Sequence, residues 1–217
     1  MAIDVEPVRT EQIEFGSLII TYDERVLRPR RWTTAQSAWA SGLLREAPEG
    51  PALELCSGVG HIGLLALIGE SRKMVMVDAS DVACGHAEAN AERAGLAAKV
   101  DIRCGRMEQA IGEEERFALI IADPPWVPSR DTARFPDDPV LAIDGGPDGL
   151  DLARTCVELI GRHLHDRGSA LLQVGTAEQL ATISDHLFEE PALRLRIAEY
   201  RTFEDRGVLA RLVRPDS

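Results

Sequence analysis

Five short apolar runs recur along the chain: Ala52–Leu55, Lys73–Val77, Val100–Cys104, Ala118–Ala122 and Ala170–Val174. Their length and lack of polar alternation suit strands buried on both faces. Between them the apolar positions take a helical spacing, at Ile62–Leu67, Asp81–Ala94 and Asp148–His163, and Gly95 stands where a C-terminal glycine cap belongs. Strands separated by helices imply right-handed crossovers and a parallel sheet. The tail breaks this rhythm. Leu193–Tyr200 and Val208–Val213 are two strand-like runs joined by a short loop around Thr202–Gly207, the pattern of an antiparallel hairpin. The predicted fold is therefore α/β: a doubly wound, mostly parallel seven-stranded sheet with a C-terminal antiparallel hairpin.

Ahead of the first sheet strand, Ile13–Tyr22 reads as a strand pair or strand-like arm. Thr33 or Thr34 is placed to cap a helix running to about Arg45, with Ala38, Trp39, Leu43 and Leu44 among its apolar residues. Ala47–Pro51 is a turn. Residues 1–47 are expected to form an arm and helix covering the site, and residues 48–217 a single domain without a long linker.

Composition narrows the chemistry. Hydrophobic residues make up 45% of the 217, an ordinary value for a globular enzyme. Acids outnumber bases 36 to 24, and a formal charge of −12 repels a phosphate backbone, which speaks against nucleic acid as a partner. The basic residues Arg25, Arg28, Arg30 and Arg31 form the only cluster of their sign. Cys56, Cys84, Cys104 and Cys156 contain no CxxC pair and read as reduced thiols, and the histidines are scattered, so no metal site is expected. The N-terminus has no basic-then-apolar leader pattern, and no apolar run nears the roughly 20 residues that span a bilayer. A cytoplasmic location without membrane attachment is the expectation.

The first strand runs into Glu54-Leu-Cys-Ser-Gly58-Val-Gly60-His-Ile-Gly63, so Gly58, Gly60 and Gly63 satisfy G-x-G-x-x-G between a strand and a helix. Such glycines let backbone approach a ligand closely, and the helix start offers free N–H groups to an anion. That anion is pyrophosphate in a dinucleotide enzyme and a carboxylate in an S-adenosylmethionine enzyme. Asp78, at the next strand's end and 20 residues past Gly58, can accept both ribose hydroxyls of either cofactor. Glu54 leans away from NAD, because an acid there suits an ammonium group.

Asp123-Pro124-Pro125-Trp126 follows the fourth run. Two prolines fix two φ angles and direct their carbonyls rigidly. A nitrogen to be methylated must aim its lone pair at the methyl carbon, so its N–H groups must be held elsewhere. Asp123 and the Pro124 carbonyl can each accept one such N–H, and the Trp126 ring can lie against the acceptor and favour positive charge at its face.

With these residues in place, the chain resembles the class I S-adenosylmethionine methyltransferases with their Rossmann-like fold. It is most similar to the catalytic domain of the protein-glutamine methyltransferases that modify release factors. The matching segments are Tyr22–Arg30, Glu54–Gly63, Asp78, Asp123-Pro-Pro-Trp126-Val-Pro against the family's Asn-Pro-Pro-Tyr-Val-Pro, the glycine-rich Leu141–Leu150, Gln173-Val-Gly175 with Gln179, and Asp205–Val208. The resemblance implies S-adenosyl-L-methionine as cofactor, bound by Glu54, Cys56, Ser57, Gly58, Val59, Gly60, Asp78, Met107 and Asp123, with Met107 packing on the adenine. It implies catalytic roles for Asp123, Pro124 and Trp126. The acceptor would be bound by Asp123, Pro124, Pro125 and Trp126, together with Arg30, Trp32 and Thr33 of an arm closing over the site. The chain departs from the family at Asp123 and Trp126, and in an arm reading Pro-Arg-Arg-Trp-Thr rather than Pro-Arg-Pro-Glu-Thr. About 50 residues precede the first sheet strand, fewer than the N-terminal module by which bacterial members dock release factor, so that module is expected to be missing.

Two readings of the acceptor follow. An ionised Asp123 can only accept, which favours N-methylation of an amine or amino-heterocycle on a small molecule or protein side chain. The alternative is a protein-glutamine N5-methyltransferase, of the short type that works with a partner subunit. An NAD-dependent oxidoreductase leaves the Asp123–Trp126 segment without a role, and a non-catalytic binding module leaves the intact motifs unexplained. Cys56 reads as a small residue rather than a nucleophile, His61 first as packing or solvated and second as a residue beside the cofactor loop able to touch the substrate, the acidic run Glu113–Glu115 as a solvated loop, and Asp144 and Asp148 as members of a flexible stretch able to meet a cationic acceptor.

Overall fold

The structure, a computed structural model, describes residues 9–204 and 206–215. A hairpin of β1 (Glu11–Phe15) and β2 (Leu18–Tyr22) leads through an extended stretch to α1 (Thr34–Glu46). The sheet then alternates with helices: β3 (Ala52–Leu55), α2 (His61–Ala66), β4 (Met74–Asp78), α3 (Asp81–Arg93), β5 (Val100–Cys104), α4 (Met107–Ala110) and β6 (Phe117–Ala122). A long connection carries the short α5 (Val140–Ile143), after which come α6 (Asp151–His163), β7 (Leu164–Val174), α7 (Ala177–Glu189), β8 (Arg196–Phe203) and β9 (Gly207–Val213).

The seven strands β3–β9 lie in the order β5-β4-β3-β6-β7-β9-β8. The first five are parallel, and β9 runs antiparallel between β7 and β8, as the tail's hairpin pattern predicts. Alternation along each strand divides the core in two. On β6, Ile120 and Ala122 face a cluster shared with α6 and α7, while Leu119 and Ile121 face one shared with α1, α2 and the β1–β2 hairpin. All six β6 residues are buried, which is why that segment reads as an unbroken apolar run. Among the described residues no helix is long and apolar enough to cross a membrane.

Some local expectations are corrected. Thr33 precedes α1 without capping it. Its backbone is helical and its hydroxyl donates to the Arg30 carbonyl at 2.8 Å, because a short 3₁₀ turn over Arg31–Thr33 leads straight into the helix. The helix expected from Asp148 begins at Asp151, since Asp148 turns its carboxyl onto the Leu150 N–H instead. Helix α7 was not anticipated, although Thr176 caps it through the Gln179 N–H. Asp205 lies outside the described residues.

Candidate active site

The strand order reverses between β3 and β6, and the crevice beyond the carboxyl ends of strands at such a switch point is where open α/β sheets hold ligands. The glycine loop leaves β3 here and Asp123–Trp126 leaves β6. Two adjoining cavities result. One, of about 310 Å³, is lined by the Cys56–Val59 loop, Asp78, Met107 and Asp123, with Val26 and Leu27 of the arm. The other, of about 430 Å³, is lined by Arg30, Trp32, Thr33, Pro124, Pro125 and Trp126. Leu27, His61, Asp123, Pro125 and Ala142 border both. The seven residues expected to bind the acceptor all lie along the second cavity, while Leu27, His61, Phe135, Asp138 and Ala142 join its wall only through the fold. Outside, Arg28, Arg31 and Arg206 join Arg30 along a shallow cleft.

The glycine loop is held from three sides. The Asp78 carboxylate accepts the Gly58 N–H at 2.7 Å and the Ser80 N–H at 2.9 Å. Glu54 is 2% exposed and accepts the Gly63 N–H at 3.1 Å, while its other oxygen has no partner. Asn90 of α3 donates to the Val59 carbonyl and to the Thr21 carbonyl, and its oxygen accepts the Thr21 N–H and hydroxyl, so one buried amide ties the loop to the arm. Neither Glu54 nor Gly60 lines the first cavity: the carboxyl lies beneath the loop, and a Cβ at Gly60 would meet Met76, Ala87 and Leu64. A Cβ at Gly63 would run into the Glu54 carboxyl and the Met74 sulfur, so a side chain there would force both buried neighbours to shift. Cys56 holds a left-handed φ of +56°. Its thiol is pushed well up by the neighbouring Cys156 thiol and by burial, which suits a wall residue rather than a nucleophile.

The Asp123–Trp126 loop is braced from behind. Gln179 donates to the carbonyls of Trp126 (2.9 Å) and Asp148 (3.1 Å) and accepts the Gly175 N–H (2.8 Å). The Trp126 ring packs so closely on Gly175 that a Cβ there would overlap it. Asp144 accepts the Ser129 hydroxyl at 2.6 Å and the Gly146 N–H at 2.9 Å, and Asp148 pairs with Arg154 at 2.6 Å, so both shape the connection rather than offering free carboxylates. Arg30 reaches across the second cavity to Asp138 at 2.6 Å, joining the arm to the connection before α5.

Of the three carboxyls around the glycine loop, only Asp123 stands where the cavities join; Asp78 lines the first cavity and Glu54 lies beneath the loop. Burial pushes Asp123 up to about 7. Burial, reinforced by the charges of Asp123 and Asp78, pushes Glu54 up to about 8 against the pull of the Gly63 N–H. Asp78 is also raised by burial, against its backbone N–H donors. Among the described residues, the Asp123 carboxyl and the Pro124 carbonyl have no donor of their own, so both are free to accept from a ligand. The arrangement can hold a cation in the first cavity and direct N–H groups in the second.

A family model described as the methyltransferase small domain matches residues 37–135. The ribosomal protein uL3 glutamine methyltransferase of Bradyrhizobium diazoefficiens is 31% identical over 183 residues, covering 77% of this chain and 56% of that protein. The release factor glutamine methyltransferase of Caulobacter vibrioides is 30% identical over 207 residues, covering 90% of this chain and 69% of that one. The chain spans little more than half the length of the uL3-modifying relatives it matches, 54–56%. In fold it is similar to the ribosomal protein L11 methylase of Lactobacillus delbrueckii subsp. bulgaricus, with a TM-score of 0.64 at 16% identity over 88% of this chain and 82% of that one.

Proposed function

Because the chain belongs to the class I S-adenosylmethionine methyltransferases, in the family that holds the release factor glutamine methyltransferases, we propose that it methylates the side-chain amide nitrogen of a protein glutamine. The observation that carries this is the shared border of the two cavities, where Asp123 and the Pro124 carbonyl stand between the space for a nucleoside and the space for an acceptor.

The residues of the first cavity fit the cofactor. Gly58 lies at φ +53°, and a Cβ added to it would meet nothing within 4 Å, so its absence leaves a cradle open to the cavity. The carboxyl oxygens of Asp78 each use one lone pair, one on the Gly58 N–H of the loop and one on the Ser80 N–H of the turn after β4, and keep another for a ribose hydroxyl. Met107 supplies an apolar wall. Bound there, S-adenosylmethionine supplies an electrophilic methyl group. Asp123 and Pro124 hold the acceptor's N–H groups so that the nitrogen lone pair points to the shared border, and Trp126, fixed by Gln179 and Gly175, closes the far side. Of the arm and helix expected to cover the site, the described part supplies Val26 and Leu27 to one cavity and Arg30, Trp32 and Thr33 to the other.

The second reading, methylation of an amine, is favoured by one feature: once ionised, the Asp123 carboxylate accepts only. A transfer assay with labelled cofactor decides between them. Incubation with an unmethylated release factor or ribosomal protein uL3, beside a panel of alkyl and heterocyclic amines, should label a glutamine. Labelling of the amines with the proteins inert would reject the glutamine reading in favour of the other.

A further inference from the structure

A second polar side chain stands at the border of the cavities besides Asp123. His61, the first residue of α2, borders both. One edge of its ring is sealed: the Phe15 ring meets it at 81° with centroids 4.8 Å apart, and Nδ1 is buried with no hydrogen-bond partner. Nε2 is the nitrogen left to face the cavities. Burial pushes the imidazole down to about 4, so it is neutral at physiological pH. A neutral imidazole carries a single N–H. A buried N–H without an acceptor is rarer in proteins than a lone pair without a donor, which assigns the proton to Nε2. The border then presents one donor, His61, against two acceptors, the Asp123 carboxyl and the Pro124 carbonyl.

We propose that His61 is a specificity-determining residue, its Nε2–H donating to the carbonyl oxygen of a primary carboxamide whose N–H groups go to Asp123 and the Pro124 carbonyl. The proposal rests on the methyltransferase reading above and names the acceptor group for it. It also accounts for Asp123 standing where related enzymes have Asn. One Asn side chain offers both a donor and an acceptor; here the two functions are divided between His61 and Asp123. An amine has no oxygen for the His61 donor, and a polar site left unpaired rejects the analogue that leaves it so.

The test uses the full chain and three readouts. In protein labelled with ¹⁵N-histidine, NMR should find His61 as the Nε2–H tautomer. With S-adenosylhomocysteine bound, that resonance should move on adding N-acetylglutamine methylamide and stay in place on adding the matching ornithine compound. His61→Phe should keep the dissociation constant for S-adenosylhomocysteine within about threefold and lower kcat/KM on an unmethylated release factor roughly 10- to 100-fold, while His61→Gln, which restores an N–H donor, should recover most of the loss. An Nδ1–H tautomer, native transfer by His61→Phe, or a His61→Gln variant as impaired as His61→Phe would overturn the clamp. So would cofactor affinity lost in His61→Phe, which would assign the ring to the cofactor instead. A native protein that binds S-adenosylhomocysteine but methylates only amines overturns the clamp together with the glutamine reading and leaves the methyltransferase reading standing; one that does not bind it overturns the methyltransferase reading as well.

Discussion

Replacing Asp123 by Asn removes one titratable proton from the border of the cavities and leaves the side chain's shape nearly unchanged. Burial raises this carboxyl from 3.8 to about 7 in the folded protein. The folded chain therefore keeps a proton that the unfolded chain has already released near pH 4. Between those values each increase in pH favours the unfolded chain, so Asp123 lowers stability by an amount that grows from about pH 4 to about pH 7 and is constant above. Asn cannot ionise, and Asp123→Asn should melt above the native protein at pH 8, with the difference closing as the pH falls towards 4. Binding has the opposite sign, because the carboxylate attracts a sulfonium cation and accepts N–H groups. With a midpoint near 7, the ionised fraction rises from roughly a tenth at pH 6 to roughly nine-tenths at pH 8. The value of kcat/KM for the cofactor follows the free enzyme, and should rise roughly tenfold over that interval. In Asp123→Asn the rise attributable to this group should vanish. Glu54 titrates near 8 with the same sign and is itself raised by the Asp123 charge, so in the variant its step should move down rather than disappear, and the loss of the step near 7 is what identifies Asp123. Calorimetric melting and initial rates of labelled methyl transfer supply both measurements. A profile unchanged by the substitution, or a variant that melts no higher at pH 8, would refute the assignment.

Other expectations follow from single contacts. Asp78→Ala removes the carboxylate proposed to accept both ribose hydroxyls, and isothermal calorimetry should show S-adenosylhomocysteine binding weakened by roughly 1.5–3 kcal/mol; an effect below about threefold would separate Asp78 from the ribose. Gln179→Leu leaves the Trp126 and Asp148 carbonyls and the Gly175 N–H without their partner. It should cost roughly 1–3 kcal/mol in urea unfolding and lower kcat with little change in cofactor affinity, whereas weakened cofactor binding at normal kcat would contradict its place behind the acceptor loop. Asn90→Ala breaks four hydrogen bonds between the arm, the glycine loop and α3. A loss of roughly 2–4 kcal/mol is expected, with faster proteolysis within the arm; a variant as stable as the native chain would show that the arm is held by apolar packing alone.

The parts of this architecture most legible in sequence are those where burial on both faces dictates composition. Phe117–Ala122 has no side chain that can face water, and its neighbour strands differ only at their ends, so the apolar runs and the two glycine- and proline-marked loops locate both cavities. The site residues that escaped are those whose partners are distant in sequence. Asn90 sits 69 residues from Thr21, and nothing local distinguishes it from a solvated helix residue. Gln179 is a partial exception. Thr176-Ala-Glu-Gln179 has the spacing of a capping box, a signal for the overlooked α7, yet the Gln179 side chain turns from the cap to the Trp126 loop. Glu54 was legible as an acid near a cofactor site, but its position beneath the loop is set by the missing side chain of Gly63. That is a packing relation, and spacing alone cannot reveal it. His61 reads in sequence as a helix-start residue able either to pack or to touch the substrate, and only the fold sets it between two cavities.

The fit between Glu54 and Gly63 also bears on how this lineage can change. An alanine at 63 would strike the carboxyl, and a shorter or apolar residue at 54 would leave the Gly63 N–H unsatisfied in the interior. Each substitution is harmful alone, and a paired exchange that shortens 54 makes room at 63 yet leaves the position-63 N–H without its acceptor, so it recovers only part of the loss. Among descendants and engineered libraries both positions should therefore change rarely, and a path that alters either must pass through a less fit intermediate.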